Sequence, residues 1–148
     1  FTPYYLEDKI KLNCILYSLN LIKILTVENQ TNKKIFDQLY QLFELFKSEE
    51  WLKKFIFWEL EMIKLVGYDI NFLDYIDKNK MLNNETYVPT FDGSKKIPSF
   101  LLRKNSSKTT NEELKDGLKI VGDFLNKSVL IPNNINYPAS RNEFIKLI

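Results

Sequence analysis

Histidine is absent from all 148 residues, and cysteine occurs once, at Cys14. Those two gaps remove a disulfide framework, a Cys/His zinc site and every mechanism that needs an imidazole. Glycine and proline are sparse, at four and five, too few for a turn-dense β-sandwich and no basis for a glycine-rich phosphate loop. No run of about 18 uncharged apolar residues occurs, so no segment reads as a membrane span. The apolar run after Cys14 is interrupted by Lys23 and lacks the small-residue cleavage site of a signal peptide. A lone thiol fits a reducing, cytoplasmic setting. Neither charge sign dominates: 21 Lys plus Arg face 19 Asp plus Glu, a formal +2. Arginine stands only at Arg103 and Arg141; the lysine, Asn and Ile bias reads as compositional drift and not as function.

What the chain does have is a 45% hydrophobic and 14% aromatic content, enough for one globular domain with a real core. From Tyr5 to Leu25, Ile10, Cys14, Tyr17 and Leu21 recur at helical spacing, with Leu12, Ile15, Leu19 and Ile22 widening the face into a broad stripe. A second amphipathic helix is expected over Asn32 to Phe46, with Ile35, Leu39, Leu42, Phe43 and Phe46 on one side. From Glu49 to Val66 the pattern is apolar on two neighbouring stripes, Trp51, Phe55, Trp58, Met62, Leu65 and Leu52, Ile56, Leu60, Ile63. Such a helix belongs at the centre of a bundle, and Gly67 is placed to close it. Thr110 and Glu113 form a capping box before a fourth helix, Asn111 to Leu130, and Ser140 and Glu143 repeat that spacing before a short final helix. The expected fold is all-α: a bundle of four main helices plus a short C-terminal helix.

Between residues 68 and 108 the helical period fades. Asp92-Gly93, flanked by Tyr87-Val88 and Ile97, predicts an irregular or β-hairpin insert. From Gly93 through Asn111 there are no acids, but Lys95, Lys96, Arg103, Lys104 and Lys108 occur. This basic run is the candidate contact for DNA phosphates, against the alternative of a solvated loop. At the start of the third helix, Trp51, Lys53, Lys54 and Phe55 combine aromatics with cations, a candidate edge for an acidic partner tail; core packing of Trp51 is the competing account.

Catalytic material is thin. Serines lack a base, and Cys14 sits on an apolar face. Glu49-Glu50 and Glu112-Glu113 fall in expected first helical turns, where negative charge suits the helix dipole. No spacing resembles a calcium loop or a di-metal site, so no metal and no cofactor are expected. Glu59 stands apart: Trp58 and Leu60 flank it, and the apolar pattern carries it inward, where a carboxylate must be paired or hydrogen-bonded.

The stretch FWELEMIKLVGYDINF, Phe57 to Phe72, and PASRNEFIKLI, Pro138 to Ile148, resemble two signatures of the RecO family of DNA repair proteins. The first matches an aromatic-Glu-Leu stretch, here Trp58-Glu59-Leu60, leading to Gly67-Tyr68 and Ile70-Asn71-Phe72. The second matches Ser140-Arg141 followed by Phe144-Ile145. Between them Tyr87-Val88-Pro89, Gly93, Ile97 to Leu101, Gly117-Leu118 and Gly122 to Leu125 follow the alphaproteobacterial version, so the resemblance runs from Leu6 onward. It implies the C-terminal helical domain, residues 1 to 148, of a protein whose N-terminal OB-fold is absent here; a start at Phe1 is then expected of a piece of a longer chain. It implies a non-enzymatic recombination mediator, cytoplasmic and nucleoid-associated. Expected partners are the acidic C-terminal tail of single-stranded DNA-binding protein, RecR, and single-stranded DNA mainly through the missing OB-fold, in support of strand annealing and RecA loading. Neither a membrane nor a small-molecule substrate is expected. Many members bind zinc through cysteines just after the Gly-Tyr segment; Tyr75 and Asp77 stand near those places, and the zinc does not carry over. Some members place tail-binding arginines where Ile56 and Phe57 stand, with Lys53 and Lys54 a turn earlier here. The alternative is a generic helical protein-interaction module with no role at DNA.

Glu59 then needs a partner. Lys54 and Lys64 are five residues away and off its helical face, since side chains three or four apart are the ones that meet. Arg141 is the expected partner, because it lies in the first turn of the last helix, matches a motif position and has a planar fork for a carboxylate. Backbone amides near Ser140 are the next choice.

Overall fold

The computed structural model describes residues 3–26, 33–77, 79, 85–103 and 108–148. Among the described residues five α-helices build the domain: α1 (Pro3–Leu25), α2 (Lys33–Leu45), α3 (Trp51–Leu65), α4 (Asn111–Leu125) and α5 (Ala139–Lys146). A two-stranded antiparallel hairpin, β1 (Tyr87–Pro89) and β2 (Lys96–Pro98), lies in the insert. Its register pairs Val88 with Ile97, and both side chains are buried. The all-α bundle with a hairpin insert is thus the architecture observed.

α3 is central, packing on α2 and on α4, while α5 packs on α1 and β2 lies on α4. Its inward stripe, Trp51, Phe55, Ile56, Trp58, Met62 and Ile63, is buried, and Leu60 is half-buried. Phe55 gathers an aromatic cluster, with Trp58 at 5.7 Å, Phe144 of α5 at 5.5 Å and Tyr17 of α1 at 6.3 Å between ring centroids. Such pairs add roughly 0.5–1.5 kcal/mol each beyond their buried area. α3 ends in a Schellman arrangement: Gly67 N donates to Lys64 O at 3.0 Å and Tyr68 N to Ile63 O at 3.2 Å. Gly67 takes φ +102° there, a conformation that costs a Cβ-bearing residue steric strain.

Several expectations are corrected. α3 starts at Trp51, so Glu49 and Glu50 precede it in a turn, and the Glu50 side chain makes no cap. The fourth helix is α only to Leu125 and continues as a π turn, Asn126–Leu130. At α5 no capping box forms: the N-cap is Pro138 without a side-chain cap, and the Ser140 hydroxyl instead accepts from Asn20 Nδ2 at 3.2 Å. By contrast the Thr110 cap is made, its Oγ1 accepting from Glu113 N at 3.1 Å. The buried stripe of α1 is narrow. Cys14, Tyr17 and Leu21 are wholly buried, while Leu12 and Leu19 are exposed together with Leu16, because α5 covers only one side of α1. On α2, Phe43 is exposed with Phe36 and Tyr40; α3 receives Gln38, Leu42 and Leu45 instead.

Candidate functional site

The chemically richest cluster lies at the centre, where α1, α3, α4 and α5 meet. Glu59, on the inward stripe of α3, and Arg141, in the first turn of α5, are both wholly buried. Arg141 grips the carboxylate with two bonds, Nη2 to Oε1 at 2.8 Å and Nε to Oε2 at 3.1 Å. The Tyr17 hydroxyl also donates to Glu59 Oε2. On the far side Arg141 Nη1 donates to Tyr137 Oη at 2.9 Å, and the guanidinium carbon stands 5.6 Å from the centre of the Tyr17 ring. Both charges have a partner of opposite sign, and each guanidinium nitrogen donates a hydrogen bond, the condition under which a buried pair is tolerable.

α4 closes the cluster by close approach. A Cβ added at Gly122 would run into Arg141 Nη1 and would meet Tyr137 Oη at 2.6 Å, so only glycine lets the helix backbone seal the guanidinium. The electrostatics follow from this sealing. Burial, and next the Glu59 charge, push the Tyr17 hydroxyl and the Cys14 thiol well above their ordinary ranges. For Arg141 burial acts downward, but the Glu59 charge and then Tyr17 outweigh it, so it stays protonated. Burial thus favours neutral Tyr17 and Cys14, while the Glu59 charge favours a charged Arg141.

The other sequence candidates sit at the surface or turn inward. The basic run spreads over several elements: Lys95 and Lys96 on the hairpin, Arg103 after a 3-10 turn (Ser99–Leu101), Lys108 before α4. Lys104 lies outside the described residues. Lys95 folds back on α4, 5.6 Å from the Phe124 ring centre and 3.4 Å from Asp123 Oδ2. The proposed tail edge is corrected more sharply. Phe55 is wholly buried and Trp51 nearly so, because both belong to the core-facing stripe of α3. The Lys11 ammonium stands over the Trp51 ring, 5.7 Å from its centre. The adjoining cleft is rimmed by Glu7, Glu49 and Glu50 beside Lys53. Among the described residues no group of three or more Cys, Asp or Glu side chains could hold a metal. Tyr75 packs on Phe124 at 4.6 Å and Asp77 accepts from Asn79 N at 3.0 Å, so neither converges on a cation and a zinc does not fit.

Two partners in the central cluster escaped the sequence pattern. Tyr17 was legible as core, and a tyrosine on an inward stripe needs a partner for its hydroxyl; Tyr137 lies before α5, where no helical spacing ties it to Arg141.

A helical domain of a DNA repair family is the class this arrangement falls into: the profile described as "Recombination protein O C terminal" matches residues 6–134, and the chain belongs to that family. Among curated proteins it is similar to "DNA repair protein RecO" of Rhodospirillum centenum (strain ATCC 51521 / SW), 22% identical over 155 residues that cover 95% of this chain and 61% of that protein. The chain therefore spans about three-fifths of the length of that relative. No solved structure matches it. No helix among the described residues is long and apolar enough to cross a membrane.

Proposed function

We propose that this chain is a non-enzymatic docking domain of a recombination mediator, one that binds single-stranded DNA-binding protein through its acidic tail, binds RecR, and adds basic surface to single-stranded DNA during annealing and RecA loading. The observation that carries the non-enzymatic part is the sealed Glu59–Arg141 pair: the groups best suited to catalysis are spent on cohesion, with both side chains wholly buried. What remains for function is surface. Exposed Leu12, Leu16 and Leu19 on α1, and Phe36, Tyr40 and Phe43 on α2, are the kind of large apolar groups that mark partner contacts. The test is titration of the chain with a peptide ending in an acidic, Phe-terminated tail, with RecR, and with a labelled single-stranded oligonucleotide. Binding should appear for each, and the oligonucleotide should be lost steeply as salt rises. Absence of all three would leave a generic helical interaction module with no role at DNA.

A further inference from the structure

Two rows of large apolar side chains face outward on α1 and α2. They are Leu12, Leu16 and Leu19 on α1 and Phe36, Tyr40 and Phe43 on α2, each between 45% and 64% exposed. Both rows step by four residues and then by three, the spacing of a seam that meets another helix. Neither row is the core side of its helix, since α1 turns Cys14, Tyr17 and Leu21 inward and α2 turns Leu42 and Leu45.

The two helices run in opposite directions along α3. Near the start of α3, Lys11 of α1 lies over Trp51 and donates to Phe46 O, just past α2, at 3.1 Å. Farther along α3, the Tyr17 hydroxyl reaches Glu59, and Trp58 Nε1 donates to Gln38 O of α2 at 2.8 Å. With their inward stripes turned to the core, α1 and α2 leave the two rows side by side on the outer face.

Area and charge decide what covers that face. Six such side chains, about half to two-thirds exposed, present on the order of 600 Å2 of apolar surface; a homodimer interface is about 65% apolar, so a standard ~800 Å2 per partner needs about 500 Å2. Leu12 to Ile22 contains no charged residue, so the α1 row offers no counter-charge to an acidic or basic partner and no repulsion to a copy of itself. On α2, Lys33 and Lys34 stand at the start, while Glu49 and Glu50 follow its end, with Lys53 and Lys54 a turn further on. A parallel pairing of two copies would set Lys33 and Lys34 against themselves, and an antiparallel pairing would not.

We infer that this face joins two copies of the chain about a two-fold axis, α2 antiparallel to the partner's α2 with Tyr40 against the partner's Phe43, and the α1 rows pairing beside them. The pairing is isologous and closes at two copies. It is independent of the DNA reading above, which survives either result.

The experiment is sedimentation velocity of the intact chain over a range of concentrations. The wild-type chain should pass from monomer to dimer by tens of micromolar, the weak end expected of an interface this size. Tyr40→Glu and Leu16→Glu should each weaken the dimer on the order of tenfold or more, with the helical spectrum unchanged because both positions are exposed. A nitroxide label on Lys33→Cys should lie about 25–30 Å from its copy in the antiparallel dimer; about 10 Å, one interhelical spacing, would mark a parallel pair and overturn the arrangement. A wild-type chain that stays monomeric up to about 1 mM, a dimer that survives both substitutions, or assembly beyond two copies would overturn the inference.

Discussion

Arg141 and Glu59 illustrate how a residue pair reads differently in isolation and in place. One of two arginines in a lysine-rich chain suggests a phosphate contact; buried against Glu59 at 2.8 Å, Arg141 ties α5 to α3 and α1. Removing one partner strands the other charge, so Arg141→Ala or Glu59→Ala should each lower unfolding free energy by about 3–5 kcal/mol, checked by urea denaturation. Tyr17→Phe removes a donor to Glu59 and should lose less, about 1–3 kcal/mol; a loss as large as that of Arg141→Ala would mean Tyr17 and not Arg141 carries the pair. Gly122→Ala should destabilise by ~1–3 kcal/mol, because the added carbon must displace Arg141 or Tyr137. Wholly buried Cys14 should react with a thiol reagent only as fast as the chain unfolds, and rapid labelling of native protein would contradict its burial.

Among the elements, the hairpin tip carries the clearest pH signature. Hydrogen bonds from the Thr90 hydroxyl, then from the Ser94 backbone and hydroxyl, hold the Asp92 carboxyl at about 2 against its ordinary 3.8. A depressed acid contributes stability above its unfolded value, and that contribution is lost as pH falls from about 4 through about 2. A carboxyl-carbon NMR titration should give Asp92 a midpoint near 2; a midpoint near 3.8 would mean the turn is not formed as described. At α4 the Thr110 cap should be worth about 1 kcal/mol by Thr110→Ala. Capping also shows where sequence patterns stop being informative. Thr110/Glu113 and Ser140/Glu143 have the same spacing, yet only Thr110 caps its helix, because α5 starts one residue before Ser140, whose hydroxyl accepts from Asn20 of α1. Likewise the periodicity of α1 and α2 located the helices but not the width of their buried stripes. Leu12, Leu19 and Phe43 sit at core-like spacing and stay exposed, since spacing fixes a face and only neighbouring helices decide how much of it is covered.

For the molecule as a whole, the division is between a sealed polar centre and a surface that carries exposed aromatic and charged groups. The centre was largely legible: the inward course of Glu59 and the lack of any same-face lysine on its helix point to a partner from another segment, and Arg141 supplies it. The cleft lined by Tyr75, Phe91, Phe124 and Lys127 was not, because these residues come from three stretches that only folding brings together. If function resides at the surface, replacing the central pair by apolar residues should spare it, since a buried ion pair exchanged for well-packed hydrophobic groups is often neutral or stabilising. The most direct measurement is therefore the affinity of a single-stranded oligonucleotide for the Glu59→Leu/Arg141→Met double variant, beside the wild-type chain at one salt concentration. Equal affinity in a variant with the wild-type helical spectrum is the predicted result; a variant that keeps that spectrum but loses the oligonucleotide would place Arg141 among the phosphate contacts and contradict the structural role assigned to it.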